Sequence, residues 1–245
     1  MEARSGNATT RLLVDCGFGQ KQLDQRLAQA GLQPGQIDAI FITHEHGDHV
    51  GCAPQWAMRH RIPVWMSHGT HAAIQQPDRP DLDGLLRIAR DTETIDLGSL
   101  QITPFTVPHD AREPLQLRCS LGDAHLGILT DLGHATPHVL AQLMGCQALL
   151  LECNHDPDLL AASRYPAFLK QRVGGPYGHL ANHAAADIAQ ALVAGGLRHI
   201  VAAHLSEHNN RPALALAALA GAEGCAKVTL GVAHAAFGCD WVGLP

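Results

Sequence analysis

Four metal-capable side chains are crowded into the segment "FITHEHGDHVG" at residues 41–51. They are His44, His46, Asp48 and His49, and they directly follow a short apolar run. Imidazole nitrogens and a carboxylate are ligands that suit Zn²⁺, Mn²⁺ or Fe. An apolar strand that ends in a tight, glycine-containing loop would present these side chains around one point. The alternative is a polar surface loop, and the density of ligand-type residues argues against it.

Three further ligand-type residues stand just past apolar runs later in the chain. His109 follows "ITPFTVP", Asp131 follows "LGILT" and His204 follows "IVAA". Taken alone, each is more typical of a polar residue at the end of a strand. With the first cluster they make seven ligands, enough for two ions with open positions, whereas a structural zinc site is closed by four Cys or His. The sequence therefore predicts two divalent ions, Zn²⁺ or Mn²⁺, with Fe as a further option.

The order of these residues resembles that of the metallo-β-lactamase superfamily, and the resemblance covers nearly the whole chain. It implies two ion sites and a shared ligand. One ion is bound by three histidines, His44, His46 and His109. The other ion is bound by Asp48, His49 and His204. Asp131 bridges the two ions, and Asp15 in "LLVDCG" supports the metal loop without binding metal.

Three later motifs narrow the resemblance to one branch of the superfamily. They are "LLLECNHD" (149–156), "GHLAN" (178–182) and "AHLSEHNN" (203–210). They resemble the YycJ/WalJ group, cytosolic bacterial proteins regarded as exonucleases directed at double strands. "GHLAN" is also similar to the Gly-His motif of the RNase J and tRNase Z relatives, where the histidine lies near the scissile phosphate. Ala181 stands where the group more often has Ser.

This resemblance implies a phosphodiesterase or exonuclease that attacks DNA ends through a hydroxide bridging the two ions. The catalytic candidates are Asp48, Asp131 and His179. His179 is the candidate general acid or phosphate ligand. Its alternative role is packing at the start of a helix, with Asn182 as the N-cap residue. Within "ECNHD", His155 and Asp156 either line the substrate cleft or support the metal ligands, and the second role is favoured.

Polar residues around the last two motifs are candidates for contacts to the substrate phosphate. These candidates are His179, Asn182, Ser206, Asn209 and Asn210. The three that follow His204 could equally form a polar turn that caps the helix beginning at Pro212. Two other functions stay open: a thioester or lactone hydrolase of the glyoxalase II type on the same metal centre, and a metal-stabilised interaction module. The sequence shows no separate C-terminal helical domain of the kind expected for the first.

Composition bounds the partners and the compartment. The chain has 245 residues, 46% of them hydrophobic, which suits a single domain over 1–245. A net charge of −6 argues weakly against binding nucleic acid by bulk electrostatics, although a local basic groove is compatible with it. Seven cysteines without a C-x-x-C pair, and no signal peptide, predict reduced thiols in the cytoplasm. No apolar run reaches the roughly 18 residues of a membrane span, and nothing indicates an oligomeric state.

The elements that must position these residues alternate between short apolar runs and amphipathic segments. β-α alternation at both ends and a run of strands at 100–133 favour an α/β sandwich over a purely parallel sheet. The superfamily resemblance implies that this is a four-layer αβ/βα sandwich with two mixed sheets flanked by helices. Gly122-Asp123 predicts a hairpin turn. Residues 76–92 are predicted as a loop with a short helix. Ser5-Gly6-Asn7 stands so near the start that we expect hardly any room for a hairpin and a truncated N-terminal edge strand.

Overall fold

The computed structural model describes residues 1–75, 82 and 84–244, and the chain divides into two compact units. Unit 1 comprises Met1–Thr106 and Ala111–Leu115, and unit 2 comprises Val107–Asp110 and Gln116–Pro245. Among the described residues, no helix combines the length and the apolar character that crossing a membrane requires. All seven cysteines are free thiols, and only that at position 239 is exposed.

Unit 1 contains, among its described residues, seven strands, four α-helices and a short 3-10 helix at Pro34–Gln36. The strands are β1 (Glu2–Ser5), β2 (Ala8–Val14), β3 (Ala39–Phe41), β4 (Val64–Met66), β5 (Leu86–Ile88), β6 (Ile95–Leu97) and β7 (Leu100–Thr106). The helices are α1 (Gln20–Gln29), α2 (Gly47–Val50), α3 (Ala53–His60) and α4 (His68–Ile74). The strand β5 falls in the segment predicted as loop and short helix, of which residues 76–81 and 83 lie outside the described residues.

The core of unit 1 lies between its five-stranded sheet and its helices. The strand order is β1-β2-β3-β4-β5, with β1 and β2 antiparallel and the following pairs parallel. Every residue of β3 is buried, as expected for a central strand of a parallel sheet covered on both faces. Trp56 of α3 is fully buried in the same cluster as Ile40. Its indole nitrogen donates to Asp24 Oδ1 of α1 at 2.8 Å, which satisfies the one polar atom of the ring.

The N-terminal segment forms the hairpin for which we expected too little room. Strand β1 pairs with β2 antiparallel, and Ser5 lies opposite Ala8 across the two-residue turn Gly6-Asn7. Gly6 has a φ of 57°, which a glycine adopts without steric cost. The expectation failed because such a turn needs no further residues and the edge strand needs only four.

Unit 2 contains, among its described residues, five strands, five α-helices and a short 3-10 helix at Cys225–Lys227. The strands are β8 (Leu115–Leu121, beginning at the last residue of unit 1), β9 (Ala124–Leu129), β10 (Ala148–Glu152), β11 (His199–Ala203) and β12 (Thr229–Val232). The helices are α5 (Pro137–Leu143), α6 (Pro157–Ala162), α7 (Ala167–Val173), α8 (Asn182–Val193) and α9 (Pro212–Gly221). Strands β8 and β9 are joined by the predicted Gly122-Asp123 turn. Strands β9 to β12 run parallel in the order β12-β11-β10-β9.

Parallel pairing brings the ends of successive strands to one edge of each sheet. In unit 1, Asp15 and Thr43 follow the parallel neighbours β2 and β3. In unit 2, Asp131 and His204 follow β9 and β11, and Glu152 ends β10 between them. The carboxyl ends of parallel strands are the usual location of binding sites in open α/β sheets. Within each unit, the polar residues that follow neighbouring parallel strands therefore lie close to one another.

Gly17 is the position at which the chain after β2 approaches the metal loop. A Cβ atom added there would lie 1.7 Å from the backbone oxygen of Asp48. We therefore predict that Gly17→Ala lowers the stability by about 1–3 kcal/mol, as overpacking does, and lowers the thermal midpoint by several degrees. Thermal unfolding followed by circular dichroism measures both. Gly35→Ala is the control, because a Cβ there meets nothing within 4 Å, and equal midpoints for the two variants would contradict the prediction.

Candidate metal centre

In unit 1, the Asp15 carboxylate fastens the histidine loop. It accepts hydrogen bonds from the backbone nitrogen of Thr43 at 2.8 Å and from its hydroxyl at 2.9 Å. His49 Nδ1 lies 2.7 Å from Asp15 Oδ2 and donates to it. Asp15 thus has the supporting position that the superfamily resemblance implied, and with Nδ1 protonated the His49 lone pair is on Nε2.

The histidines of this loop lie close enough together to share an ion. His44 is fully buried, and its Nε2 lies 3.0 Å from Nδ1 of His46. Two nitrogens each about 2.0–2.1 Å from one zinc ion would have such a separation. Asp48 Oδ2 lies 3.7 Å from Nε2 of His49, and the Asp48 side chain is exposed. Within unit 1, His44 is therefore close to His46 and Asp48 is close to His49, and Asp48 is the most exposed of the four predicted ligands.

In unit 2, four side chains each offer one ligand atom, and these atoms all lie within 4.8 Å of one another. They are Asp131, Glu152, His179 and His204. Asp131 Oδ1 lies 3.5 Å from Nδ1 of both histidines. The predicted ligands Asp131 and His204 and the predicted general acid His179 are thus brought together, and Glu152 is added to them.

Glu152 is the residue of this group that the sequence reasoning missed. It is fully buried, and its Oε1 accepts hydrogen bonds from Nδ1 of His179 at 2.8 Å and of His204 at 3.0 Å. Its Oε2 accepts from the backbone nitrogen of Leu132 at 3.0 Å. One carboxylate therefore fixes the ring orientation of both histidines and leaves Nε2 of each for a ligand or substrate. The available signal was a lone acid at the end of the apolar run "ALLLE".

The pKa values of the Glu152–His179 pair move in opposite directions. Burial alone would lower the pKa of His179, but the hydrogen bond to Glu152 and the charges of Glu152 and Asp131 raise it above its ordinary value. Burial alone would raise the pKa of Glu152, and the hydrogen bonds from His179 and His204 outweigh it and lower the pKa. In the metal-free chain the pair is therefore a carboxylate beside an imidazolium that is retained toward neutral pH.

His109 is oriented as a metal-binding imidazole within unit 2. Its Nδ1 donates to the Gly178 carbonyl at 3.0 Å, and its Nε2 lies 3.9 Å from Asp131 Oδ1. Burial lowers the pKa of His109 despite the nearby Asp131 carboxylate, which favours the neutral ring that a metal requires. A histidine that donates one nitrogen to a carbonyl presents the other as a ligand.

The donor sets in the two units fit divalent ions. Each consists of imidazole nitrogens and carboxylate oxygens, the mixture that Zn²⁺ and Mn²⁺ accept. Buried carboxylates and histidines in hydrogen-bonded contact are costly to assemble without a function. In each unit, the residues predicted as ligands therefore offer donor atoms that suit the predicted ions.

Three asparagines predicted as phosphate ligands are buried instead. The side-chain amides of Asn182 and Asn210 donate to each other's carbonyl oxygens at 2.9 Å, and Asn210 also donates to the carbonyl of Cys153. Asn209 is 1% exposed, and its backbone oxygen accepts from the backbone nitrogen of Asp156. The amides of Asn182 and Asn210 are committed to these buried contacts, so the prediction that these two contact phosphate is corrected, and they join three motifs that are distant in sequence. The side-chain amide of Asn209 has no hydrogen-bond partner among the described residues, and its contact with phosphate stays a prediction.

Two capping predictions are also settled by these contacts. Helix α8 begins at Asn182 with Ala181 in the N-cap position, so Asn182 is not the N-cap residue. Ser206 accepts from the backbone nitrogen of Asn209 at 3.2 Å and so forms a polar turn, but the N-cap residue of α9 is Arg211 and no side chain of the described residues caps this helix, so the predicted capping of α9 is wrong. Asp156 caps α6 by accepting from the backbone nitrogens of the second and third helical residues, so its expected support of metal ligands is wrong.

The mutual support of the unit 2 group predicts the effect of Glu152→Gln. A glutamine cannot accept both imidazole N–H groups on a charged oxygen, so the two histidines lose their fixed orientation. We expect the affinity for Zn²⁺ or Mn²⁺ to fall about 10–100-fold, as for other partners of metal-binding histidines. Competition with a chromophoric chelator measures it. Glu223→Gln, at an exposed residue beyond α9, is the control, and equal affinity of both variants would contradict this role.

His155 gives the protein a pH-dependent stability. It is buried, its Nδ1 has no hydrogen-bond partner, and burial lowers its pKa. Below the ordinary imidazole pKa of about 6.5 the unfolded chain binds a proton that the folded chain does not, so stability falls as the pH falls, by at most about 1.4 kcal/mol per pH unit for this group.

We therefore predict that His155→Gln weakens the pH dependence of the unfolding free energy between pH 7.5 and 5.5. Urea unfolding of the metal-free protein at both pH values measures the difference. His183→Gln, at an exposed position, controls for the loss of an imidazole. An unchanged difference in the His155 variant would show that this side chain does not contribute.

Comparison with known proteins agrees with this geometry. The Beta-lactamase superfamily domain matches residues 10–204. Exodeoxyribonuclease YycJ of Bacillus anthracis is 30% identical over 212 residues, which cover 86% of this chain and 80% of that protein. Exodeoxyribonuclease WalJ of Streptococcus pneumoniae is 30% identical over 207 residues, which cover 84% and 77%.

A solved structure with the same fold comes from Bacillus subtilis. The metallo-beta-lactamase fold protein YhfI aligns with a TM-score of 0.71 and 17% sequence identity, covering 99% of this chain and 90% of its own. The predicted fold, with two mixed sheets flanked by helices, is thereby confirmed, and this fold implies divalent metal ions. The chain belongs to the β-lactamase superfamily, as a metallo-β-lactamase-fold hydrolase related to the YycJ and WalJ proteins.

Proposed function

We propose that the protein is a phosphodiesterase that shortens DNA from its ends with the help of two divalent ions, Zn²⁺ or Mn²⁺. The seven predicted ligands hold these ions: His44, His46, Asp48, His49, His109, Asp131 and His204. One observation carries the proposal beyond the superfamily, namely the Glu152–His179 pair beside Asp131 and His204. The relatives named as exodeoxyribonucleases support the choice of DNA.

The ions and the ligands that surround them have separate tasks. When bound, two such ions activate water and neutralise charge on the phosphodiester. Asp15 and Glu152 keep His49 and His204 in the orientation that binding requires. The added positive charge also makes a phosphate substrate compatible with a chain of net charge −6. The free thiols of the seven cysteines favour a cytoplasmic location, which is part of the proposal.

His179 supplies the proton that the departing oxygen needs. The Glu152 carboxylate accepts from Nδ1 and favours the protonated ring, which leaves Nε2 to meet the substrate. The His179 side chain is one-quarter exposed, in contrast to its buried carboxylate partner. An imidazolium that is held by a buried carboxylate and reaches solvent is well placed for general acid catalysis.

The same pair argues against a thioester substrate. A thiol has a pKa of about 8.5, so a thiolate departs readily without a proton. An alkoxide leaving group from a phosphodiester is far more basic and gains most from a general acid. No feature of the described residues favours the glyoxalase II-type alternative over this reading, and the first experiment includes its substrate.

That experiment compares two substrates with the metal-loaded protein. End-labelled duplex DNA should be shortened, while S-lactoylglutathione should remain intact. His46→Ala, which removes one predicted ligand, should abolish the cleavage and excludes a contaminating nuclease. Cleavage of the thioester with intact DNA would overturn the nuclease proposal and leave the metal-dependent hydrolase.

A second prediction isolates the role of His179. His179→Gln should slow DNA hydrolysis by about 10²–10⁴-fold, the usual contribution of a general acid. Hydrolysis of bis(p-nitrophenyl) phosphate by the same variant should change little, because nitrophenolate departs without protonation. Steady-state rates on both substrates measure the contrast. An equal loss on both would mean that His179 serves the ions or the fold and not the leaving group.

A further inference from the structure

A basic and aromatic segment precedes His179 directly. Residues 163–178, "SRYPAFLKQRVGGPYG", contain three cations and no acidic residue in a chain whose net charge is −6. They also contain both tyrosines of the protein and one of its five phenylalanines. Aromatic side chains interleaved with cations are the composition of surfaces that bind single-stranded nucleic acid. The metal chemistry does not account for this segment.

The segment leaves two of its three aromatic side chains in solvent. Helix α7 buries none of its residues. Phe168, in its first turn, is 71% exposed, and Tyr177, in the loop that follows, is 61% exposed. Phe168 and Arg172 are four residues apart and therefore lie on the same face of α7. Neither the Phe168 ring nor the Tyr177 ring packs in the hydrophobic core of unit 2. Their ring faces are therefore accessible to a ligand.

Hydrogen bonds tie this surface to the unit 2 group. The Arg172 Nε donates to Asp110 Oδ2 at 2.6 Å, one residue from His109. The His179 backbone nitrogen donates to the Val173 carbonyl at 2.8 Å, so the loop folds back on the end of α7. Gly178 lies so close that an added Cβ would be 2.1 Å from the Arg172 carbonyl oxygen. The exposed face is thus held at a fixed position relative to His179.

We propose that this α7 surface, consisting of Phe168, Tyr177, Arg164 and Arg172, binds an unpaired strand of DNA and leads it toward His179. The proposal rests on the proposed function and specifies its substrate as a single-stranded end. Phe168 and Val173 are roughly 8 Å apart along the helix, a distance that two or three stacked nucleotides cover. Arg172 remains 62% exposed in its contact with Asp110, so its other donors can reach a phosphate.

The chemistry selects an unpaired strand over a duplex. Aromatic rings stack on the faces of bases, and in a duplex those faces are already stacked on their neighbours. The cations contribute phosphate contacts, which are independent of sequence. A duplex would therefore have to open at its end before its terminal nucleotides could bind along α7.

The test is a binding measurement that does not depend on turnover. Fluorescence anisotropy would follow the full-length, metal-loaded protein with a labelled oligothymidylate of about 12 nucleotides, a length within the usual site sizes. Phosphorothioate linkages slow its hydrolysis. Phe168→Ala and Tyr177→Ala should each weaken binding about 5–100-fold. Phe168→Trp and Tyr177→Phe should retain the affinity, because each keeps an aromatic ring. Phe237→Ala is the control and should also retain it, because it removes a ring that is 73% exposed but lies outside residues 163–178.

Salt dependence separates stacking from charge. Arg172→Gln should reduce the slope of log affinity against log salt by about 0.7, the value for one contact to a single strand. Phe168→Ala should lower the affinity and leave that slope unchanged. A blunt duplex of the same length should bind the wild-type protein more weakly than the single strand.

Two results would overturn the α7 proposal without touching the nuclease proposal. One is unchanged affinity in both alanine variants while the wild-type protein shortens DNA. The other is self-association of the wild-type protein that Phe168→Asp abolishes with DNA affinity unchanged, which would make the surface a contact between copies. Failure of the nuclease proposal would be seen differently, as intact DNA with every variant and with the wild-type protein.

Discussion

The Glu152 carboxylate is the group on which the unit 2 site depends. It is fully buried, and burying an ionised carboxylate costs several kcal/mol unless donors surround it. Two imidazoles and the Leu132 backbone nitrogen supply three donors. The stabilisation is mutual: the carboxylate raises the pKa of His179, and the hydrogen bonds from the histidines lower the pKa of Glu152. Removing Glu152 would therefore leave both histidines without their acceptor.

Backbone conformation at the strand ends supports the same arrangement. Among the described residues, five that are not glycine have positive φ, and three of them are Asp15, Asp131 and His204. Their φ values lie between 52° and 59°, a region that ordinary residues avoid at a cost of about 1–3 kcal/mol. Each of the three follows the end of a strand, and its side chain lies among the polar side chains of the site. The strain is therefore concentrated at the residues that we assign to metal binding and its support.

Part of the site could be predicted from the sequence because closely spaced ligand-type residues must lie near one another in the fold. The "HEHGDH" loop, the fold class and the supporting role of Asp15 follow from residue type, spacing and family resemblance. Glu152 was missed because it ends an apolar strand, and only the parallel neighbours β9 and β11 show what it contacts. The Asn182–Asn210 pair was misassigned for a similar reason. The two asparagines lie 28 residues apart in the sequence, which alone does not reveal that their side chains pair.

The most direct test of the account relates activity to metal content. Metal-free protein would be loaded stepwise with Mn²⁺ or Zn²⁺, and the rate of shortening of end-labelled DNA would be measured against the number of ions bound per chain. The account predicts that activity develops as the second ion binds and reaches its maximum at two. Full activity with one ion, or no activity with two, would contradict it.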